Sequence, residues 1–289
     1  MLKFSANLSL LFRERPLLER FAAARSAGFE AVEIQVPYEV PAAAIASAAR
    51  AANLPVVLIN APLGPVPGIP GMACRREHRA LFGESLQRAA EYAEALRAPC
   101  VNVLAGLATA AELEDCIEQL IEHLSLAAEV LSRVAARPLL EVINPHDVPG
   151  YCVASFALAT QVLARCDPRA GLQFDIYHAS RLGLAPATAF EAVCARIAHV
   201  QFADDPGRHE PGTGVLDFEA LFGAIDRSGY AGWVGAEYHP SGSTEASLGW
   251  LRARRRSGAP APDEPTQSTG SDRSVAPSRA GMIHTRPGS

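Results

Sequence analysis

An alternation constrains this chain more than any other feature: eight short apolar runs are each followed by a longer segment that reads as a helix. The candidate strands are residues 3–8, 31–36, 55–60, 100–104, 138–143, 171–175, 197–202 and 233–238. The candidate helices are 16–26, 42–52, 77–96, a long one starting at Thr109, 155–165, 187–195, 217–228 and 244–251. Strand and helix in strict turn imply parallel strands joined by crossover helices. Eight such units suit one closed (β/α)8 TIM barrel of about 250 residues, so residues 1–251 are expected to form a single α/β domain. An open doubly wound sheet would carry a glycine-rich phosphate loop after its first strand. That position holds Asn7-Leu8-Ser9-Leu10, with no glycine.

The clearest helix begins where Thr109 and Glu112 have capping-box spacing, and its apolar residues Leu113, Ile117, Leu120, Ile121, Leu124, Leu131 and Val134 recur at helical intervals. Residues 62–72 (PLGPVPGIPGM) leave the third strand as a Pro/Gly-rich loop, either a lid or a plain surface loop. Beyond Leu251, residues 252–289 are rich in Pro, Ser, Gly and Arg and are expected to be a disordered tail, with Arg254, Arg255 and Arg256 solvated.

Apolar residues make up 49% of the chain, ample for one large core. The six cysteines, Cys74, Cys100, Cys116, Cys152, Cys166 and Cys194, include no C-x-x-C pair, which favours a reduced, cytoplasmic protein. The polar start Met1-Leu2-Lys3-Phe4-Ser5-Ala6-Asn7 and the lack of any long apolar stretch argue against a signal peptide, a membrane span and a membrane partner. The tail from Arg252 holds seven arginines against Asp263, Glu264 and Asp272, a surplus of four, so the remainder carries −9 where the whole carries −5. A body this acidic matches the phosphates of nucleic acid poorly.

In a parallel barrel the C-terminal strand ends converge on one pocket, so a polar residue closing an apolar strand is a candidate for chemistry. The last four strands supply a set: Glu141 in LLEVIN, Asp175 in LQFDIYH, Gln201 in HVQFAD and Glu237 in WVGAEYHP. Three carboxylates and an amide oxygen form a hard donor set that suits Mg2+ or Mn2+. Each residue singly is as well explained as a salt-bridged strand end; four on successive strands favour a metal site.

The runs KFSANLSLLF, GFEAVEIQVPY, EVINPHDVPGY, FDIYHASR, HVQFADDPGRHEPGTG and GYAGWVGAEYHP together resemble the hydroxypyruvate isomerase family of xylose-isomerase-like barrels, which includes the 2-oxo-tetronate isomerases. The resemblance extends from Met1 to about Leu251, and its most specific motif is HxQxADxPxRxEPGTG. It implies that Glu141, Asp175, Gln201 and Glu237 hold the metal and that Glu141 and Glu237 flank the substrate as acid and base. Hydroxypyruvate and tartronate semialdehyde would then interconvert by proton transfer through an enediolate. His178, three residues after Asp175, is a candidate for hydrogen-bonding a substrate oxygen, with a structural role as the alternative. Arg208 is the natural fork for the substrate carboxylate, unless it is taken up by Glu210. Asn7 and Glu33 are expected to line the pocket, Asn60 and Asn144 to order loops, Tyr38 and Trp233 to pack, and Gly212 and Gly214 to shape a turn.

The chain departs from the family pattern at Ser180, at Val215 and in the 62–72 loop, all expected near the pocket mouth, where three- and four-carbon acids would be told apart. A 2-oxo-tetronate isomerase or a ketose 3-epimerase is therefore the near alternative. From another class, a phosphodiesterase of endonuclease IV type would share the barrel, but it gathers several histidines and needs a basic face for DNA. A barrel that only binds a ligand is disfavoured by the two glutamates. A small sugar acid is the expected partner, and assembly as a homo-oligomer is compatible with all of these.

Overall fold

The computed structural model describes residues 2–257 apart from 66, 67 and 69. Eight strands, β1 (Lys3–Asn7), β2 (Ala31–Ile34), β3 (Val56–Asn60), β4 (Cys100–Asn102), β5 (Arg137–Glu141), β6 (Gly171–Asp175), β7 (Ile197–Phe202) and β8 (Trp233–Ala236), close in sequence order into a parallel barrel. The seam is the β1–β8 ladder, from Lys3 opposite Trp233 to Ala6 opposite Ala236.

Alternation along each strand decides what faces where. Phe4, Ala6, Val32, Ile34, Ile59, Val101, Leu140, Leu172, Phe174, Val200, Phe202 and Val234 belong to the main core, shared with the helices. Fully burying a side chain such as Phe174 or Phe202 contributes about 1.5–3 kcal/mol. The opposite set points into the barrel. Near the N-terminal end it is apolar, with Leu58, Cys100 and Leu139 forming a separate small cluster. One pleat further on it becomes polar: Asn7, Glu33, Asn102, Glu141, Gln173, Asp175, His199 and Gln201 are all buried. An apolar plug thus closes the bottom of the barrel and a polar layer fills its top.

Around the barrel lie α1 (Leu17–Ala27), α2 (Ala42–Ala52), α3 (Arg79–Leu96), α4 (Leu113–Ser132), α5 (Phe156–Arg165), α6 (Ile176–Arg181), α7 (Pro186–Val193), α8 (Phe218–Arg227), α9 (Thr244–Ser247) and α10 (Gly249–Ser257). Among the described residues no helix is long and apolar enough to cross a membrane.

Two expectations change, and one helix is added. The long helix starts at Leu113, not Thr109; Glu112 Oε2 does accept from Thr109 N (3.3 Å) and Thr109 Oγ1 (2.8 Å), but this box closes the turn ahead of α4, and Val134 lies past its end. A short helix, α6, follows β6 without a loop. The proposed tail boundary at 251 is too early, because α10 runs to Ser257. Trp250 packs edge-on against Phe4 (5.3 Å) and Phe202 (5.0 Å), and the Arg254 guanidinium lies 4.9 Å from the Phe222 ring centre. The aliphatic stem and planar head of arginine cover aromatic surface, so part of the arginine run covers the core between the barrel and its helices. The expectation of disorder beyond Ser257 falls outside the described residues.

The 62–72 loop ends against the segment after β4, where Gly71 bridges Ala105 and Cys74 N donates to Ala105 O (2.7 Å). Gly71 has φ +94°, and a Cβ on it would lie 2.2 Å from Leu104 O, so only glycine fits. Tyr38 packs as expected, edge-on to Tyr92 at 4.9 Å, with its hydroxyl on Asn60 O (2.6 Å).

Candidate active site

The polar layer opens at the C-terminal strand ends. Glu141, the last residue of β5, accepts from Asn102 Nδ2 at the end of β4 (2.6 Å). Asp175 closes β6 and caps α6: its Oδ1 accepts from Tyr177 N (2.7 Å), while Oδ2 is buried without a hydrogen-bond partner. Glu237 stands just past β8, where Oε1 accepts from Gln35 Nε2 (2.6 Å) and Asn7 Nδ2 (3.3 Å), and Oε2 from Arg208 Nη2 (2.7 Å). Arg208 Nη2 also lies 3.6 Å from Asp175 Oδ2. Its alternative partner, Glu210, is held instead by Ser241 N and Oγ.

One oxygen or nitrogen from each of Glu141, Asp175 and His178 fits within 4.8 Å of the others. His178 Nε2 is 3.8 Å from Glu141 Oε1 and 3.6 Å from Asp175 Oδ2. The other ring nitrogen, Nδ1, is 2.7 Å from Asn144 Nδ2. The Asn144 amide is oriented by its oxygen, which accepts from His146 N and Asp147 N, so Nδ2 is the donor to His178. Burial, aided by Arg208, lowers the His178 pKa to about 3, so the ring is neutral and carries its one proton on Nε2, facing the carboxylates.

Burial is also the main influence on the three acids. It raises Glu141, reinforced by the charges of Glu237 and Asp175. It raises Asp175 against the opposing pull of Arg208. It raises Glu237 to about 7, again against Arg208. The acids therefore share one buried space and repel each other across it.

Gln201 and Glu33 lie a level lower. Gln201 donates from Nε2 to Glu33 Oε1 (2.8 Å) and accepts at Oε1 from Gln173 Nε2 (2.5 Å), so its amide is tied into the layer beneath the three acids. Glu33, wholly buried, also accepts from His199 Nε2 (2.7 Å), Asn7 Nδ2 (3.0 Å) and Ser5 Oγ (3.3 Å). Asn7 joins the two levels, since its Nδ2 reaches both Glu33 and Glu237. The structure thus gathers Glu141, Asp175, His178, Arg208 and Glu237 around one space and sets Glu33 and Gln201 below as its support.

The family model for xylose isomerase-like TIM barrels matches residues 21–254. This chain belongs to that family. Within it the chain is similar to the 2-oxo-tetronate isomerase of Cupriavidus necator, 37% identical over 258 residues that cover 87% of this chain and 98% of that protein. It is similar to the hydroxypyruvate isomerase of Escherichia coli at 36% over 256 residues, covering 87% and 98%. These relatives place it in the hydroxypyruvate isomerase branch, as an enzyme of isomerase type. A solved structure titled AP endonuclease, family 2, from Brucella melitensis has a TM-score of 0.85 at 36% identity, covering 88% of this chain and 99% of that one. An L-ribulose 3-epimerase, with a TM-score of 0.75 at 20% identity over 89% and 94% of the two chains, shares the fold.

For a xylose isomerase-like barrel the fit to a cation can be judged from the donors themselves. An unpartnered buried oxygen on Asp175, Glu141 with an oxygen within 4.8 Å of Asp175, and a third buried carboxylate, Glu237, that shares Arg208 with Asp175 all suit a hard dication. The His178 proton on Nε2 makes that nitrogen a donor to oxygen in this state. Two contacts in this isomerase site were not singled out from sequence. Asn102 obeys the strand-end rule that found the three acids and the amide, applied one strand earlier; Gln35, just past β2, had no signal of its own.

Proposed function

We propose that this isomerase interconverts hydroxypyruvate and tartronate semialdehyde. The C3 proton of hydroxypyruvate is removed and a proton is delivered to C2, while the C3 hydroxyl becomes the carbonyl and the C2 carbonyl the hydroxyl. The observation that carries this is a pair of buried carboxylates, Glu141 at the end of β5 and Glu237 just past β8, linked through Asp175: Arg208 Nη2 lies 2.7 Å from Glu237 Oε2 and 3.6 Å from Asp175 Oδ2, and His178 Nε2 lies 3.6 Å from Asp175 Oδ2 and 3.8 Å from Glu141 Oε1. One takes the proton from carbon and the other returns it. The 2-oxo-tetronate isomerases, similar at 36–37% identity, make the four-carbon acid the second candidate substrate.

Glu141, Asp175 and Glu237 would hold Mg2+ or Mn2+, which when bound supplies Lewis-acid stabilisation of negative charge on substrate oxygen; Gln201, expected from sequence as a fourth donor, supports them from the layer beneath, its Oε1 already accepting from Gln173 Nε2. Arg208 engages the substrate carboxylate; its Nε is buried and without a hydrogen-bond partner. His178 donates Nε2–H to a substrate oxygen, and Asn7 steadies Glu237 from below. Six cysteines without a disulfide support a cytoplasmic setting.

The similarity to the structure titled AP endonuclease, family 2, gives the phosphodiesterase alternative some support. Against it, the acidic cluster among the described residues contains one histidine, and the body of the chain is strongly acidic. The test is proton exchange followed by NMR in D2O with hydroxypyruvate and 2-oxo-tetronate, with Mn2+ and with EDTA, beside cleavage of abasic-site DNA. Metal-dependent deuterium uptake that is lost by at least about 1000-fold in Glu141→Gln and in Glu237→Gln is expected. Full uptake in either variant removes that glutamate from proton transfer, and DNA cleavage without uptake overturns the isomerase assignment.

A further inference from the structure

Asp204, in the HVQFADDPGR run just past β7, is almost completely buried, yet it faces neither the other acids nor a side-chain cation. All of its partners are backbone N–H groups of its own loop. Oδ2 accepts from Gly212 N (2.9 Å), Thr213 N (3.1 Å) and Gly214 N (2.9 Å), and Oδ1 from Asp205 N (2.9 Å) and Leu216 N (3.1 Å). Its main chain does the same for the near side of the loop: Asp204 N donates to His209 O (2.8 Å) and Asp204 O accepts from Arg208 N (2.9 Å). The whole segment from 205 to 216 is therefore wound around one carboxylate.

Arg208 is the residue this winding delivers. Its backbone sits at φ +53°, the left-handed region that a branched or long side chain enters only when its surroundings hold it there. The holding contacts are Arg208 N on Asp204 O and His239 N on Arg208 O (2.9 Å each). That conformation aims the guanidinium inward, 2.7 Å from Glu237 Oε2 and across the Tyr177 ring at 5.1 Å. Gly214 shows how closely the loop is drawn in: a Cβ there would lie 2.0 Å from Asp205 O and 2.6 Å from Asp204 Oδ1.

We propose that Asp204 is a positioning residue that acts through Arg208: its carboxylate organises the 205–216 loop so that the guanidinium is preset against the substrate. The inference presupposes that Arg208 works on the substrate as proposed above. It differs from a general stabilising role, because its effect on turnover must vanish once Arg208 is gone.

Asp204→Asn is the isosteric probe. Whichever way the amide is turned, its NH2 faces at least two backbone N–H groups, two on the Oδ1 side or three on the Oδ2 side. Two measurements are made on the full-length metal-loaded enzyme. Hydrogen exchange should speed up at Gly212, Thr213, Gly214 and Leu216 in Asp204→Asn, with strand amides unchanged; unaltered exchange there overturns the loop-organising role. In a kinetic cycle with Arg208→Ala, Asp204→Asn alone should cut kcat/KM by about 10–100-fold, the scale for residues that orient functional groups. In the Arg208→Ala background it should cost less than about threefold. Costs that multiply in the double variant show that Asp204 does not act through Arg208 and overturn the proposal. If Arg208→Ala itself leaves kcat/KM intact, the substrate role of Arg208 fails, while faster loop exchange in Asp204→Asn would still stand. Should Asp204→Asn not accumulate, Gly214→Ala pushes on the same carboxylate and enters the same cycle.

Discussion

Gly235 tests whether the inward positions of the barrel are spaced for the polar layer they hold. It faces inward from β8, level with Ser5 and Gln201, and a Cβ on it would stand 2.3 Å from Glu33 Oε2 and 2.7 Å from Glu33 Cδ. Restoring an ordinary contact of about 3.5 Å requires Glu33 to shift by more than about 1 Å. Glu33 has no room for that, because His199, Gln201, Asn7 and Ser5 hold it from four directions at 2.7–3.3 Å. Losing two hydrogen bonds to a charged group costs about 1.5–3 kcal/mol each, and overpacking adds about 1–3 kcal/mol, against a gain of about 0.5–1 kcal/mol for replacing glycine in a strand. Gly235→Ala should therefore lose about 3–8 kcal/mol, which lowers Tm by roughly 6–16 °C at about 2 °C per kcal/mol for a domain of this size. Gly249, at the start of α10 with nothing within 4 Å of its would-be Cβ, is the control; Gly249→Ala should stay within about 1 kcal/mol of the parent. Thermal melting followed by circular dichroism compares the two. A Gly235→Ala protein within about 1 kcal/mol of the parent would refute the close fit of Glu33 and with it the rigidity ascribed to the lower level.

Metal affinity should depend on pH. Burial holds Glu237 up to about 7 and Glu141 above the usual carboxylate range, so below pH 7 an incoming cation must displace protons. Mn2+ binding measured by calorimetry should tighten by about tenfold per pH unit between 5 and 7, with proton release; a flat profile over that window contradicts the assigned donors. In the core between barrel and helices, Trp250→Ala should cost about 3–5 kcal/mol, because the indole meets Phe4, Phe29, Phe202 and Phe222 at 5.0–6.3 Å. A change in Tm under about 2 °C would show that α10 is not an integral part of that core.

The barrel was legible because parallel strands covered on both faces read as continuous apolar runs, and a charged residue ending such a run is conspicuous. Glu141, Asp175 and Glu237 were found that way. What stayed hidden depends on partners distant in sequence or on a residue with two local roles. Asn102 ends a three-residue strand, and its meaning lies in Glu141, 39 residues later. Helix α6 was masked because Asp175 is both the last strand residue and the helix cap, so no turn residues separate the two elements. Asp204 has only backbone partners, which no side-chain pattern reveals. For α10, composition misled: arginines that resemble a solvated tail include Arg254, which covers the Phe222 ring.

The charges at the top of the barrel do not balance by themselves. When all three are ionised, Glu141, Asp175 and Glu237 bring three negative charges and Arg208 one positive, leaving two in excess in a buried space, the charge of one divalent ion. A sugar-acid substrate adds a further negative charge. Arg208 Nη2 is already committed to Glu237 at 2.7 Å and drawn toward Asp175 at 3.6 Å, so without a cation the guanidinium cannot serve a substrate carboxylate without leaving those acids uncompensated. A dication that took over the neutralisation of Asp175 and Glu237 would free it. Metal and substrate should therefore bind cooperatively, with a coupling of about 1–3 kcal/mol, or about 5–150-fold in affinity. A 2-hydroxy acid that cannot isomerise, titrated calorimetrically with and without Mn2+, measures the coupling, and linkage requires the same factor when Mn2+ is titrated with and without the acid. Arg208→Ala should remove most of it. Affinities that do not depend on each other would show that Arg208 is not shared between acids and substrate, and would leave its Glu237 pairing a purely structural contact.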